Sequence, residues 1–279
     1  MLKIVMDTAG DLPSGWQEKY DIDLIPINII HNGQNYLQGI DIHYDDFYRI
    51  METSDVLPST SQPTPYQFVD FYRKIAKPED TVLSIHVTEK LSGTMDSARK
   101  AVEELKGELN IIPFDSASGT ICMGMMAREA REMDRAGKTI ENILARLDVI
   151  RRQMELVFTV DTLKFASMSG RVKHLQFALA SMLNVKPIIE LKNGLLEMGE
   201  KVRSRNKSID LLIEKMRKKF NGQRIIIGVL HAHDPQSGIE LMEKVICQLN
   251  CTEAIFSEIS ISLAAHFGPG TLGLAAYPE

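Results

Sequence analysis

The chain is poor in cysteine and has no long apolar run. Only Cys122, Cys247 and Cys251 occur in 279 residues. An odd number at this spacing argues against a disulfide framework, and no further soft ligands are spaced to complete a zinc site. No apolar run reaches the length of about eighteen residues that a transmembrane helix needs. We therefore expect buried or half-buried thiols in a protein of the reducing cytoplasm.

Charge of one sign is not in large excess either. The net charge is −5 at pH 7, with 25% charged and 44% hydrophobic residues, which is close to the average for globular proteins. This balance gives no reason to expect nucleic acid or an anionic membrane as a partner. The first residues, Met1 to Asp7, lack the apolar region of a signal peptide and are expected to form a strand.

In the first half of the chain, apolar segments alternate with segments of helical periodicity. Strands are expected over 2–6, 22–30, 81–87 and 109–114, with a hairpin turn at Asn32-Gly33. Helices are expected over 44–51, 66–75, from the Ser92 region to about Leu105, and over 121–135 and 140–151. This alternation predicts an α/β domain with a largely parallel sheet over residues 1–153.

The pattern changes after about Met154. Strands are expected over 156–160, 186–198, 224–231 and 254–260, with a second hairpin turn at Asn193-Gly194. Helices are expected over 207–220 and 237–249, and a short helix after the turn Ser169-Gly170-Arg171-Val172. Residues 154–279 are therefore predicted to form a mixed α+β domain.

A hydroxyl pair, Ser92 and Thr94, flanks Gly93 between an apolar strand and a helix. Amide groups at a helix start are unpaired and favour anions. The Ser92 hydroxyl can therefore bind an anion, cap the helix or act as a nucleophile. A nucleophilic Ser92 requires a base such as His86 or His266, and that base must itself be held by a carboxylate. The residues on either side of Ser92 do not match the Gly-x-Ser-x-Gly motif of serine hydrolases.

Two further segments carry unexplained polar residues. Residues 58–65 are expected to form a loop in which Thr64 caps the next helix, so that Thr60 and Ser61 either solvate the loop or bind a ligand. His266 is followed by Gly268-Pro269-Gly270, which predicts an irregular turn. There it is either a core histidine or a hydrogen-bond donor or proton shuttle.

Other polar clusters give weaker signals. Asp7, Asp11 and Asp115 follow strands, but no close carboxylate triad and no Gly-x-x-x-x-Gly-Lys motif accompanies them, so no metal or cofactor is expected. Residues 201–219 hold eight basic and two acidic residues, either a solvated helix face or a docking surface for an acidic partner. A structural role is expected for His231 and His233.

Six motifs occur together in a fixed order. They are Asp7-Thr8-Ala9-Gly10-Asp11-Leu12-Pro13, Thr60-Ser61-Gln62-Pro63-Thr64-Pro65, Leu91-Ser92-Gly93-Thr94, Ser169-Gly170-Arg171-Val172, Lys201-Val202-Arg203 and His266-Phe267-Gly268-Pro269-Gly270. Over essentially the whole chain, this set resembles the DegV family of bacterial fatty-acid-binding proteins. The departures are small: Gly10 in the first motif, and Ser169-Gly170-Arg171-Val172 where the family has Gly-Gly-Arg-Ile.

The resemblance implies two domains with one long-chain fatty acid, such as palmitate or oleate, buried between them. It implies that Thr60, Ser61, Ser92, Gly93 and His266 hold the carboxyl group, and that Arg171 and Arg203 belong to the carboxyl-end network or to partner docking. The protein would be a noncatalytic subunit that presents the acid to an ATP-binding fatty acid kinase subunit for phospholipid synthesis, with at most transient membrane contact. The alternative is a serine esterase or acyltransferase that uses Ser92 with His266 or His86.

Overall fold

The computed structural model describes residues 1–173 and 185–279. The chain divides into two compact units, unit 1 (Met1–Arg152) and unit 2 (Gln153–Glu279). Each unit combines helices with its own sheet or sheets, which confirms the predicted α/β class. That the chain forms two domains with a boundary after residue 153 stays a prediction.

Unit 1 is built on a parallel four-stranded sheet and a small antiparallel sheet. Its strands are β1 (Leu2–Asp7), β2 (Ile22–Ile25), β3 (Asn28–His31), β4 (Gln34–Leu37), β5 (Ser59–Ser61), β6 (Thr81–His86) and β7 (Asn110–Asp115). Its helices are α1 (Trp16–Lys19), α2 (Tyr44–Thr53), α3 (Pro65–Ile75), α4 (Thr94–Glu104), α5 (Ile121–Arg135) and α6 (Ile140–Gln153). The main sheet has the order β2-β1-β6-β7, and all neighbours are parallel, as predicted.

One face of the parallel sheet packs against α3 and α4. Val5 of β1 and Val82 of β6 join Phe68 and Tyr72 of α3 in a fully buried apolar cluster. Because strand side chains alternate between faces, the residues at positions i+2 and i+4 of these strands point to the same side. The polar ends of β1 and β6 are thereby carried into the helix-covered side of the sheet.

The small sheet has the order β4-β3-β5. Its hairpin turn has φ values of 50° at Asn32 and 76° at Gly33, so the predicted Asn-Gly hairpin is confirmed. The prediction of a loop at 59–61 is wrong, because Ser59–Ser61 pairs antiparallel with β3. Three hydroxyl residues show no apolar alternation, so only the neighbouring strand identifies them as a strand.

Unit 2 is built around one mixed sheet of seven strands. Its strands are β8 (Glu155–Thr159), β9 (Val172–Lys173), β10 (Lys186–Lys192), β11 (Leu195–Val202), β12 (Ile225–His231), β13 (Cys251–Glu258) and β14 (Leu272–Pro278). Its helices are α7 (Leu163–Ser169), α8 (Arg205–Phe220), α9 (Pro235–Gln248) and α10 (Ile261–Phe267). The sheet order is β13-β12-β14-β8-β10-β11-β9, and the predicted mixed architecture and Asn193-Gly194 hairpin are confirmed.

Several local expectations for unit 2 are corrected. The turn at Gly170, where φ is 67°, ends helix α7, and the short helix expected after Val172 lies outside the described residues. Helix α10 replaces the irregular turn expected at His266, which lies in the last turn of that helix. Cys122 is buried and Cys251 half-buried as expected, but Cys247 is exposed. Within 1–173 and 185–279, no helix is long and apolar enough to cross a membrane.

Candidate functional site

The turn between β6 and α4 holds Ser92 at the start of a helix. The amides of Leu91 and Ser92 both donate to the Thr88 carbonyl, at 3.1 and 3.2 Å, which closes the turn. Gly93 is the N-cap residue of α4 and has no side chain to accept from the helix amides. Instead, the Ser92 hydroxyl lies 2.8 Å from the Thr94 hydroxyl and accepts the Thr94 amide at 3.3 Å. Ser92 therefore provides the local cap and keeps an accessible hydroxyl beside the helix amides.

The second predicted hydroxyl segment lies against this turn. A Cβ placed on Gly93 would lie 2.7 Å from Nε2 of Gln62, which follows Ser61 directly. Glycine at position 93 thus allows the Gln62 amide to approach the α4 start, which a side chain would push away. The structure brings Gln62, at the end of β5, and the Ser92-Gly93 turn together within unit 1.

A buried amide network fixes the position of Gln62. Asn28 of β3, which is 3% exposed, donates from Nδ2 to the Gln62 carbonyl at 3.1 Å. Its Oδ1 accepts from Asn35 and from Gln67, at 3.0 and 3.3 Å. Gln67 also completes a capping box with Thr64 at the start of α3, which confirms the predicted cap. Because these bonds are buried or half-buried, they hold the polar strand in a single register.

A hydrogen-bonded chain runs beneath the same turn. The Tyr72 hydroxyl lies 2.8 Å from Ser84 Oγ, and Ser84 Oγ lies 2.7 Å from Nε2 of His86. Nδ1 of His86 lies 3.0 Å from Oδ2 of Asp7. All four side chains are fully buried. Asp7 also accepts the Val87 amide at 2.9 Å and the Ala9 amide at 3.0 Å, which ties the end of β1 to the end of β6.

This chain bears on the alternative in which His86 serves as the base for Ser92. Nδ1 of His86 is engaged by the Asp7 carboxylate and Nε2 by the Ser84 hydroxyl, so neither ring nitrogen is left for Ser92. The order Asp7, His86, Ser84 has the connectivity of a hydrolase triad, but its serine is fully buried. His86 supports the turn and is not directed at Ser92.

In unit 2, His266 and Arg171 occupy one neighbourhood. Burial and, to a smaller extent, the positive charge of Arg171 lower the pKa of His266 to about 4. The Arg171 guanidinium donates to the Ser169 carbonyl at 2.5 Å, just after α7 ends. The His266 ring is therefore neutral at pH 7, able to donate one N–H to an anion but poorly suited to shuttle protons.

The glycine after His266 is required by a close packing contact. Gly268 has φ of 80°, and a Cβ there would lie 2.1 Å from Cδ2 of Phe165 in α7. The Phe165 ring thus lies directly on the Gly268 backbone. Gly268 is explained by this contact between α7 and α10, whereas a Cβ on Gly270, where φ is 77°, would lie 2.9 Å from the Asp161 Cβ.

The basic stretch 201–219 is largely neutralised by acidic neighbours. Lys215 pairs with Glu190 and Glu200, Lys218 with Glu214, and Lys219 with Glu155. The exposed side chains of Lys201, Arg203 and Lys207 form no ion pair with described residues. The uncompensated charge lies mostly in the first part of the stretch, before and at the start of α8, and includes the predicted residue Arg203; near its end, Arg217 bonds to the neutral Gln248.

The acidic residues expected at the strand ends have other roles. Asp7 belongs to the buried chain, and Asp115 accepts the Ala117 amide at 2.8 Å. Among the residues that the structure describes, no group of three or more histidine, cysteine, aspartate or glutamate side chains is arranged to bind a metal ion.

Two residues of the site were not selected from the sequence. Gln62 stands inside one of the six motifs, but its contact with Gly93 spans 31 positions of sequence and has no local signal. Asn28 could not be recognised from its sequence position, because a polar residue at the start of a strand is usually exposed. In the structure it is buried.

Comparison with known proteins identifies close relatives over the full length. The family model described as "Uncharacterised protein, DegV family" matches residues 1–279. A fatty acid-binding protein of Thermotoga maritima is 31% identical over 278 residues, which cover 98% of this chain and 96% of that protein. The structure of a fatty acid-binding DegV family protein from Thermus thermophilus has a TM-score of 0.90 and 30% identity, and the match covers 100% of this chain and 99% of that one. A stearic acid-binding protein of Eubacterium ventriosum has a TM-score of 0.91 and 27% identity, with 100% and 98% covered.

Proposed function

Because this chain belongs to the DegV family, we propose that it binds one long-chain fatty acid, such as palmitate or oleate, without covalent attachment. The single observation that carries the proposal is the contact of Gln62 with Gly93, which supports a carboxylate position between the end of β5 and the start of α4. Relatives of similar length are described as fatty acid-binding proteins, which supports the same ligand class. Burial of fourteen methylenes contributes about 11 kcal/mol gross, at about 0.8 kcal/mol each.

The carboxylate is assigned to the Ser92-Gly93 turn and the neighbouring strand. The hydroxyls of Thr60, Ser61 and Ser92 and the Gly93 amide offer hydrogen bonds without introducing another anion. Such bonds to a charged group are stronger than neutral ones, and a carboxylate without them is very costly to bury. The family resemblance adds the neutral His266 as a donor and assigns Arg171 and Arg203 to the carboxyl-end network or to partner docking.

The experiment that tests the ligand class is lipid extraction and mass spectrometry of the purified protein. We expect a saturated or monounsaturated long-chain acid in roughly stoichiometric amount. Protein without such an acid, which also fails to bind added palmitate and oleate after delipidation, would overturn the proposal.

Replacement of Ser92 by alanine is expected to weaken oleate binding roughly tenfold or more, since a hydrogen bond to a charged group contributes about 1.5–3 kcal/mol. Titration calorimetry on delipidated protein measures the change. Ser59→Ala is the matched control, because Ser59 is exposed on the neighbouring strand and is assigned no role. Equal affinities of Ser92→Ala and Ser59→Ala would remove Ser92 from the carboxyl site.

Replacement of Gly93 by alanine is expected to weaken oleate binding and to leave stability nearly unchanged. The φ of Gly93 is −78°, which alanine adopts readily, so the new methyl group acts only on the Gln62 side chain. Gln62 is exposed and its amide can move away. In the double variant Gly93→Ala/Gln62→Ala the contact is relieved, and part of the affinity should return relative to Gly93→Ala. A double variant as weak as the single one would show that Gln62 does not transmit the effect.

We further propose that a separate ATP-binding subunit phosphorylates the bound acid to an acyl phosphate. The family resemblance supports this role, and the sequence has no Gly-x-x-x-x-Gly-Lys motif of its own. With ATP and oleate, trapping by hydroxylamine should give an acyl hydroxamate only when such a kinase subunit is added. Formation of the hydroxamate by this chain alone would contradict a noncatalytic role.

A further inference from the structure

Two helix N-termini meet at the carboxyl end of strand β12 in unit 2. Helix α8 precedes β12 and α9 follows it, so both helices begin at the end of the strand where His231 stands. Nη2 of Arg205, the first residue of α8, lies 3.3 Å from Oδ2 of Asp234, the N-cap of α9. Ser204 caps the Lys207 amide and Asp234 caps the Ser237 amide, and the remaining first-turn amides of both helices point into the same corner, named here the α8–α9 corner.

His231 lies buried beneath this corner. It is 4% exposed, and its Nδ1 atom has no hydrogen-bond partner among the described residues. Its ring stacks on Phe256 at 4.8 Å between centroids, and a Cβ on Gly238 would lie 3.2 Å from the His231 Cβ. Helix α9 thus packs at Gly238 against the Cβ atom of His231, while the imidazole ring packs on Phe256.

The His231 ring is neutral under ordinary conditions. The pKa of His231 is lowered, and burial of the ring is the largest cause. The charge of Asp234 acts in the opposite direction, and His233 adds a smaller lowering. At pH 7 one ring nitrogen therefore carries a proton and can donate it. A buried imidazole without a partner costs free energy, because its polar nitrogen has lost its contact with water.

Arg205 presents a second buried nitrogen at the same place. Its Nη2 atom faces Asp234, whereas its Nη1 atom is buried and has no partner in the part of the chain that the structure describes. A guanidinium has only donors, and its planar fork suits a planar or tetrahedral oxyanion. The Nη2 group of Arg205 thus pairs with the Asp234 carboxylate, whereas its Nη1 group has no hydrogen-bond partner among the described residues.

The local charge of the corner favours an anion. Arg205 and Asp234 cancel, while each helix N-terminus contributes about half a positive charge. The exposed side chains of Arg203 and Lys207 flank the start of α8 and form no ion pair with described residues. A cation is disfavoured by the same charges, and no described cluster is arranged to bind a metal ion.

We propose that the α8–α9 corner binds a tetrahedral oxyanion of the phosphate or phosphate-monoester class, held by Arg205, His231 and the first-turn amides of α8 and α9. The Nη1 atom of Arg205 and a protonated ring nitrogen of His231 donate to its oxygens. Asp234 orients Arg205 and opposes the ligand charge. Its proposed ligands include none of the hydroxyl groups proposed for the fatty acid carboxylate, and it requires no fatty acid.

Calorimetric titration of the whole chain with inorganic phosphate, at constant ionic strength in chloride, tests the site. We expect saturable binding that weakens roughly tenfold or more in Arg205→Gln, since a bond to a charged group is lost. Arg217→Gln is the matched control, because Arg217 lies near the far end of α8 and bonds to Gln248 at 2.6 Å. Asp234→Asn keeps a capping oxygen but removes the opposing charge, so it should tighten phosphate binding.

A parallel titration with adenosine monophosphate separates the two sources of the ligand. Tighter binding of the ester, with the same dependence on Arg205, assigns the site to a phosphate ester, and tighter binding of phosphate assigns it to the free anion. The proposal is overturned by the absence of saturable binding of either probe, or by binding that Arg205→Gln leaves unchanged. Weaker phosphate binding in Asp234→Asn would also contradict the proposal, because removal of a charge that opposes the ligand should tighten binding. If Asp234 had only a structural role, its replacement would give no such increase in affinity.

Discussion

Replacing Asp7 with alanine is expected to lower the free energy of unfolding by about 3–5 kcal/mol, because several buried donors lose their acceptor at once. The Asp7 carboxylate accepts from His86, Val87 and Ala9 at 2.9–3.0 Å, and its side chain is fully buried. Alanine leaves three buried donors without acceptors, each costing about 1–3 kcal/mol if unrelieved. Urea denaturation of delipidated protein measures the change without a contribution from bound ligand.

Two other substitutions calibrate this result. Asp7→Asn keeps the shape and one accepting oxygen for His86 and Val87, so it should cost less than Asp7→Ala. Asp115→Ala is the matched control, because that carboxylate stands at the end of β7 but is half-buried and accepts the Ala117 amide. If Asp7→Ala proves no more destabilising than Asp115→Ala, the buried chain does not stabilise unit 1 as inferred.

Replacing Gly268 with alanine is expected to destabilise the protein by about 2–4 kcal/mol, from strained backbone and overpacking together. The φ of Gly268 is 80° with ψ of 167°, a region that is essentially restricted to glycine. The new Cβ would also lie 2.1 Å from the Phe165 ring, so α7 or α10 must shift. Because His266 lies in the last turn of α10, fatty acid binding should weaken as well.

Gly222→Ala separates the two causes. Gly222 has the same φ of 80°, but a Cβ there meets no atom within 4 Å, so only the backbone cost applies. The difference between the two free energies of unfolding, measured in urea, reports the Phe165 contact together with the cost of the ψ of 167° at Gly268. Equal losses at both positions would show that Phe165 adapts at no cost and does not fix the position of α10.

The sequence predicted those features whose cause lies within a few residues. Both Asn-Gly hairpins follow from the left-handed φ values that this pair adopts, and the start of α3 follows from the Thr64–Gln67 capping box. Buried strands such as β6 follow from their apolar composition. Strand β5 and helices α7 and α10 were missed, because short segments carry too few residues to show periodicity.

The features of the candidate site also fall into two groups, those with a local cause in the sequence and those that depend on distant residues. The sequence by itself determined that Ser92 stands at a helix start and that two glycines constrain the backbone after His266. Only the tertiary structure decided which side chains meet: Asp7 with His86 across 79 positions, and Gln62 with Gly93. Local patterns encode backbone conformation, whereas these contacts depend on which strands pair and on how closely two backbones approach. The parallel pairing of β1 with β6 aligns the ends that carry Asp7 and His86, and neither sequence segment alone contains that information.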